Sequence, residues 1–386
     1  MLNFELFLSP ISELFFKEIS WPKNGTISQS QIFRTHLPSL ENVDMAIVGL
    51  KDNGGNDEND GVKQAAMEIR KKLYQLHCGT PPYRIADLGN IRNGIDAEET
   101  RGRLREVCTM LIQHQIIPII IGGSHDFTIG QYQGYKNLQQ PVNLLNIDAY
   151  LDLLTDEEQP FNRRFLKNLL LQDPSTLQHY IHLGFQSYLC DPDDLSKLHH
   201  LNFDTIRLGQ VRADIKEMEP YIRSAEAYSF DCAAIRSADA PGSSLAQPFG
   251  LTGEEACQLS WYAGMNCNAS SIGFYEYNPF DDDDQLKTAS TIATMIWYFI
   301  EGFYNRRVEG EFESDDFMQY LVRVSGLDEP IKFFRSRQTG KWWVEIIAKD
   351  HPTTPFWRVP CSGTDYEQAL RGEVPDRWFV TLNRIG

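Results

Sequence analysis

The chain has 386 residues, 42% hydrophobic and 23% charged, enough apolar material for one large α/β domain with additions or for two to three average domains. Its 36 basic and 53 acidic residues give a formal charge of −17, which argues against a nucleic-acid backbone or an anionic membrane surface as partner. No apolar run approaches the roughly 20 residues of a bilayer span. The opening "MLNFELFLSPISELFF" has no basic n-region, and seven scattered cysteines form no CxxC pair. A soluble cytoplasmic protein is expected, with neither a disulfide framework nor a zinc finger.

Residues 1 to about 40 are mixed, with Pro10 and Pro22 breaking any long element, and read as an N-terminal extension. From there, short apolar runs alternate with helical stretches. "MAIVGL" (45–50) reads as a strand, and "AEETRGRLREVCTMLIQHQ" (97–115) has helical spacing with acids at its start. "IIPIIIGG" (116–123), "VNLLNID" (142–148), "YIHLGF" (180–185) and "EAYSFD" (226–231) follow as strands. "TGEEACQLSWYAGM" (252–265) is a helix, "SIGFYEY" (271–277) a strand and "TASTIATMIWYFIEGFYN" (288–305) a helix. The strands are nearly continuous in apolar residues, as a sheet covered on both faces requires. The fold class is therefore α/β, with a mostly parallel sheet between helical layers. The main domain is assigned to 41–311. From 312 the chain changes character: "FMQYLVRV", "IKFFRSR" and "KWWVEII" read as strands and "DYEQALRG" as a helix, a small α+β appendage over 312–386. Its tryptophans suit a core better than an interface. The "DDDD" run at 281–284 reads as a solvated loop rather than a cation site.

In parallel sheets, chemistry gathers at the carboxyl ends of strands. Four segments there carry polar residues that could converge: "GGSHD" (122–126), "DAYLD" (148–152), "SFDCA" (229–233) and "YEYNP" (275–279). Asp148, Tyr150 and Asp152 are spaced by two, so an extended backbone would project them to one side. His125 offers an imidazole and Asp148, Asp152 and Asp231 offer hard oxygens, a donor set suited to Mn²⁺ rather than to structural zinc.

These segments, with "IVGLKDNGGNDENDGVKQAAMEIRKKLY" upstream, resemble the signature segments of the arginase–agmatinase–formimidoylglutamase family, the ureohydrolases, over about 45–305. The resemblance implies a three-layer α/β/α domain with about eight parallel strands. It also implies two Mn²⁺ ions sharing a hydroxide that attacks a guanidinium or formimino carbon. It places His125, Asp148, Asp152 and Asp231 on metal ligands, makes Asp148 and Glu276 catalytic, and sets Glu276 facing the substrate cation. Family members often assemble as trimers or hexamers, so a homo-oligomer is compatible.

The sequence departs from the family pattern at specific places. Tyr150 replaces a ligand histidine, Ala233 replaces the second aspartate of Ser-Phe-Asp-x-Asp, and Ser124-His125-Asp126 reverses the usual order. Arg236 stands where the family usually has aspartate, and the loop 153–170 lacks the proton-shuttle histidine of arginases. The retained ligand positions surround one ion, and the lost positions are those that bind only the second. One Mn²⁺ fits; two do not, unless Asp126 reaches in as a replacement ligand. Two functions follow: a formimidoylglutamase-like hydrolase of small linear amidines or guanidines, or a non-catalytic relative serving as a ligand-binding or protein-interaction module. In the first, Arg163, Arg164 or Arg236 could hold a substrate carboxylate, although surface solvation or ion pairing explains them equally.

Overall fold

The computed structural model describes residues 4–20, 22–28, 31–79, 82–347 and 356–385. Parts of the expected N-terminal extension and of the appendage thus lie outside the described residues. Nine strands form the main sheet: β1 (Leu8–Ser9), β2 (Met45–Gly49), β3 (Ile85–Ile91), β4 (Ile117–Ile121), β5 (Val142–Ile147), β6 (Leu177–Phe185), β7 (Asp204–Arg207), β8 (Ala227–Asp231) and β9 (Ser271–Tyr275). Their order is β1-β3-β2-β4-β9-β8-β5-β6-β7. Eight run parallel, and only the two-residue β1 pairs antiparallel, against β3. The expected three-layer α/β architecture is therefore present, with a nine-stranded sheet.

Strand alternation divides the core in two. Ile47, Ile119 and Ile121 face one side, packed with Ala65, Ile69 and Leu73 of the helix Val62–Leu73 and with Ile296 and Phe299 of the helix Lys287–Asn305. Ala46, Val48 and Ile120 face the other, against Leu104, Val107 and Leu111 of the helix Ala97–Gln113. Both faces are covered, which is why the strands lack polar alternation. The N-terminal segment joins this core: Ile11, Phe15, Ile27 and Ile32 are buried in the first cluster.

β3 was not expected from the sequence, because Asp87 and Asn90 interrupt its apolar residues. Both are buried and are satisfied by Arg70, whose guanidinium donates to Asp87 Oδ2 at 2.8 Å, Asp87 Oδ1 at 3.0 Å and Asn90 Oδ1 at 2.7 Å. Gly49 makes room for this pair: a Cβ there would lie 2.2 Å from Asn90 Oδ1 and 2.7 Å from Arg70 Nη1.

The appendage is an antiparallel sheet of β10 (Phe317–Val322), β11 (Ile331–Ser336), β12 (Trp342–Ile347) and β13 (Phe356–Cys361), with helices Gly363–Leu370 and Asp376–Ile385. Trp342 stacks on Tyr366 with centroids 4.8 Å apart, while Trp343 is buried against Phe312 and Phe317. These tryptophans build core, as expected. The unit docks on the helix Glu219–Arg223, where Arg223 donates to Trp342 O at 3.0 Å and covers the Trp343 ring at 4.2 Å.

The acidic run at 281–284 is a helix cap. Asp282 accepts from Thr288 N and Oγ1 and from Tyr277 Oη, and Asp283 pairs with Lys287 at 3.1 Å.

Candidate metal centre

β4, β9, β8 and β5 are consecutive neighbours in the middle of the sheet, and each delivers one part of the site at its carboxyl end. After β4, Gly122 and Gly123 take φ of +80° and +77°, turning the chain so that Ser124-His125-Asp126 begins a short helical turn. His125 and Asp126 are completely buried, and they point to different partners. His125 Nδ1 lies 3.5 Å from Asp148 Oδ2, 3.3 Å from Asp152 Oδ2 and 3.1 Å from Asp231 Oδ2. One donor atom from each of these four buried residues lies within 4.8 Å of the others. The structure thus gathers all four expected ligand residues.

Asp126 is not among them; its carboxylate pairs with Arg101. It therefore does not replace a missing ligand. Burial raises its pKa, against the opposing pull of Arg101.

Local backbone, not an extended strand, brings Asp148 and Asp152 together. β5 ends at Ile147. Asp148 Oδ1 accepts from Tyr150 N at 3.1 Å, a turn, and Asp152 takes φ of +52°, a left-handed conformation that aspartate tolerates better than most residues. Spacing by two was therefore the wrong reason for their convergence, and Tyr150 does not share their direction. Its hydroxyl accepts from Gln247 Nε2 at 2.9 Å, and its ring lies under Arg163 at 3.8 Å. Arg163 Nη1 in turn stands 3.4 Å from Asp152 Oδ1. After β8, Asp231 caps the next turn through Ala233 N at 2.7 Å, leaving its other oxygen toward His125.

The chemistry of these atoms fits a divalent cation. His125 Nε2 lies 3.0 Å from Asn146 Oδ1 and 2.8 Å from Ser229 Oγ. An N–H on Nε2 donates to Asn146, leaving the Nδ1 lone pair for a metal. Nδ1, Asp148 Oδ2 and Asp152 Oδ1 are buried and have no hydrogen-bond partner. Without a cation the cluster compensates by protonation. Burial opposes charge on His125, but the three aspartates outweigh it and raise its pKa well above the usual imidazole value. Burial, reinforced by Asp231 and Asp152, likewise raises Asp148.

Glu276, expected to face a substrate cation, is turned into the protein. It has φ of +61°, and its Oε1 accepts from His125 N at 2.6 Å, Ser124 Oγ at 3.1 Å and Asn162 Nδ2 at 3.0 Å. Its Oε2 accepts from Asn59 Nδ2 at 2.7 Å. Burial, with Asp231 adding to it, pushes this carboxyl up to about 7. The carboxylate holds the His125 backbone in place.

Of the arginines considered for substrate, only Arg163 reaches the site. Arg236 pairs with Asp239 at 2.9 Å on the surface, and Arg164 donates to Gln159 O at 3.1 Å. Sequence reasoning missed Asn146, Ser229, Asn59 and Asn162, all buried amides or hydroxyls that orient the set. It also missed His182, which lies with Nε2 3.2 Å from Asp148 O and is kept neutral by burial, its pKa pushed down to about 4. A polar residue inside an apolar run, as in "LLNID", "YIHLGF" and "AYSFD", was the available signal.

A parallel α/β sheet with a buried His/Asp cluster at the carboxyl ends of its central strands is an architecture suited to holding a divalent cation. The chain belongs to the arginase family, whose profile it matches over residues 43–301. It is 25% identical over 277 residues to a formimidoylglutamase from Geobacillus sp. (strain WCH70), covering 68% of this chain and 84% of that enzyme. It is 26% identical over 251 residues to the human mitochondrial guanidino acid hydrolase, covering 57% and 68%. The Trypanosoma cruzi formiminoglutamase solved with Mn²⁺ superposes with a TM-score of 0.63 at 19% identity, over 69% of this chain and 95% of that one. The agmatine ureohydrolase of Thermoplasma volcanium gives 0.59 at 19% identity, over 76% and 98%. Among the described residues, no helix is long and apolar enough to cross a membrane.

Proposed function

We propose that this protein is a formimidoylglutamase-like hydrolase of C–N bonds in small linear amidines or guanidines, working with one Mn²⁺ held by His125, Asp148, Asp152 and Asp231. The observation that carries this reading is the convergence of one ligand atom from each of the four buried residues within 4.8 Å, with His125 Nδ1 and Asp148 Oδ2 free of hydrogen bonds and His125 fixed from behind. A bound divalent ion would supply Lewis acidity and lower the pKa of water. We assign Asp148 a second role beside holding the ion: the carboxylate oxygen not on the ion, Oδ1, beside Tyr150 N, would accept the proton of the attacking water. Glu276 acts as a positioning residue through His125 N, and Arg163 balances charge at Asp152.

The competing reading, a non-catalytic relative that binds a ligand or partner, is favoured by Ala233 and by the closure of Tyr150 onto Gln247 and Arg163. The two separate on one experiment. Purified protein loaded with Mn²⁺ should release ammonia, formamide or urea from at least one member of a panel of formimino amino acids and guanidino acids. Asp148→Ala should abolish the release. If elemental analysis shows the ion bound and no product forms from any panel member, the hydrolase reading is wrong and the binding reading stands.

A further inference from the structure

The opposite edge of the main sheet, where β5, β6, β7 and β8 begin, faces the appendage across a cavity of about 780 Å³. That volume lies in the range of small-molecule sites. Its wall carries six Lys and Arg residues against three Asp and Glu, in a chain whose overall charge is −17. The acids are already engaged. Asp204 Oδ2 lies 2.7 Å from His179 Nε2, Glu226 accepts from Asn143 N at 2.7 Å, and Glu309 accepts from Thr339 Oγ1 at 2.6 Å. Burial also pushes Glu226 up to about 7, so it is only partly charged at neutral pH.

Four of the cations have counter-charges. Arg358 pairs with Glu345 and Glu313, Arg377 with Asp365, Lys341 with Glu219, and Arg223 with Glu219. Among the described residues, the side chain of Arg307, just after the helix Lys287–Asn305, has no ion pair or hydrogen bond, and Arg384, on the last helix, has only the nearby charge of Asp204 and no direct ion pair or hydrogen bond. Arg223 is 7% exposed, and its Nη1 has no partner. Guanidiniums with N–H donors left free, collected in one concave wall, are the arrangement that recognises oxyanions through paired N–H donors.

We propose that this cleft binds a small polyanion carrying two or more phosphate or carboxylate groups, with Arg307 and Arg384 as its principal contacts. The site is separate from the His/Asp cluster, which lies at the carboxyl ends of the strands, and it does not depend on the hydrolase reading. The joint between the α/β layer and the appendage forms it, so an occupant would bridge the two.

The test is calorimetric titration of the whole protein, stripped of metal by a chelating resin, at low ionic strength. The probes are tripolyphosphate, ATP and citrate. Saturable one-to-one binding of at least one probe is expected, and the preferred probe distinguishes phosphate from carboxylate recognition. Arg307→Met and Arg384→Met should each weaken that binding about tenfold, the loss of one charge-assisted contact. Arg307 is exposed, so its variant should melt with the parent and serve as the folded control. Absence of saturable binding for all three probes overturns the proposal, as does binding that is unchanged in a folded Arg307→Met protein.

Discussion

Arg163 is the residue whose removal separates charge competition from simple support. Its guanidinium lies 3.8 Å over the Tyr150 ring and 3.4 Å from Asp152 Oδ1, an oxygen with no hydrogen-bond partner. Arg163→Met keeps most of the side-chain volume and deletes the charge. In the metal-free protein the change leaves three buried carboxylates less compensated and removes a cation–π contact. Arg163 is 18% exposed and solvent screens it in part, so the expected destabilisation is about 1–2 kcal/mol, a fall of a few degrees in Tm. For metal binding the sign reverses. A fixed positive charge next to a ligand carboxylate repels a divalent ion, and with the same screening its removal should favour binding by about 1–2 kcal/mol. That is roughly a tenfold lower Kd for Mn²⁺. Differential scanning calorimetry of the metal-free protein and calorimetric titration with Mn²⁺ read the two effects independently. Unchanged or weaker Mn²⁺ binding in a folded variant would show that Arg163 supports the ligands and does not compete with the ion.

Glu276→Ala strands the donors of His125 N, Ser124, Asn162 and Asn59 while keeping the left-handed backbone, so urea denaturation should show a loss of about 3 kcal/mol. Glu276→Gln should lose clearly less, and equal losses would contradict the hydrogen-bond account. Arg70→Met leaves Asp87 buried without its counter-ion and should cost about 3–5 kcal/mol by the same assay; a loss below 1 kcal/mol would mean that water or protonation compensates. Glu226 has its pKa raised by burial, from 4.5 unfolded to about 7 folded, so the protonated form is favoured in the fold. The stability this contributes is complete below about pH 4.5 and is lost as pH rises through about 7. Glu226→Gln should therefore flatten that decline and stabilise the protein by about 2 kcal/mol at pH 8; a parallel pH curve for parent and variant would refute the assignment.

Most of the parallel sheet was legible because its strands are buried on both faces and read as unbroken apolar runs. β3 and β7 escaped for different reasons. β3 carries Asp87 and Asn90, whose burial makes sense only once Arg70, from a helix 17 residues earlier, is seen to satisfy them. β7 has four residues and ends in an exposed arginine, too little pattern for periodicity to detect. The final helix, Asp376–Ile385, falls in the appendage beyond the elements its sequence pattern marks. At the site, the four ligand residues were legible from their position after apolar runs and from family resemblance. Their geometry was not. A positive φ at Asp152 and the inward turn of Glu276 are tertiary choices, fixed by contacts with residues more than a hundred positions away in the case of Glu276.

The departures from the family pattern form a set when charge is followed through the site. Ala233 removes one carboxylate from the place the family gives to its second ion, and among the described residues no other acid joins the four-residue cluster. Tyr150 removes an imidazole from the same place and presents an aromatic face, which attracts a cation. Arg163 occupies that face and brings a positive charge to Asp152. The absent acid at 233 and the guanidinium of Arg163 together match the two positive charges of a second ion. With His125 neutral, the charges of Asp148, Asp152 and Asp231 are then balanced by one divalent cation and one arginine. A second ion in the same place would have to displace a largely buried guanidinium and bind without the carboxylate at 233. On this balance, elemental analysis of the Mn²⁺-loaded chain should give one ion per chain, and two would break the charge argument along with the role it assigns to Arg163.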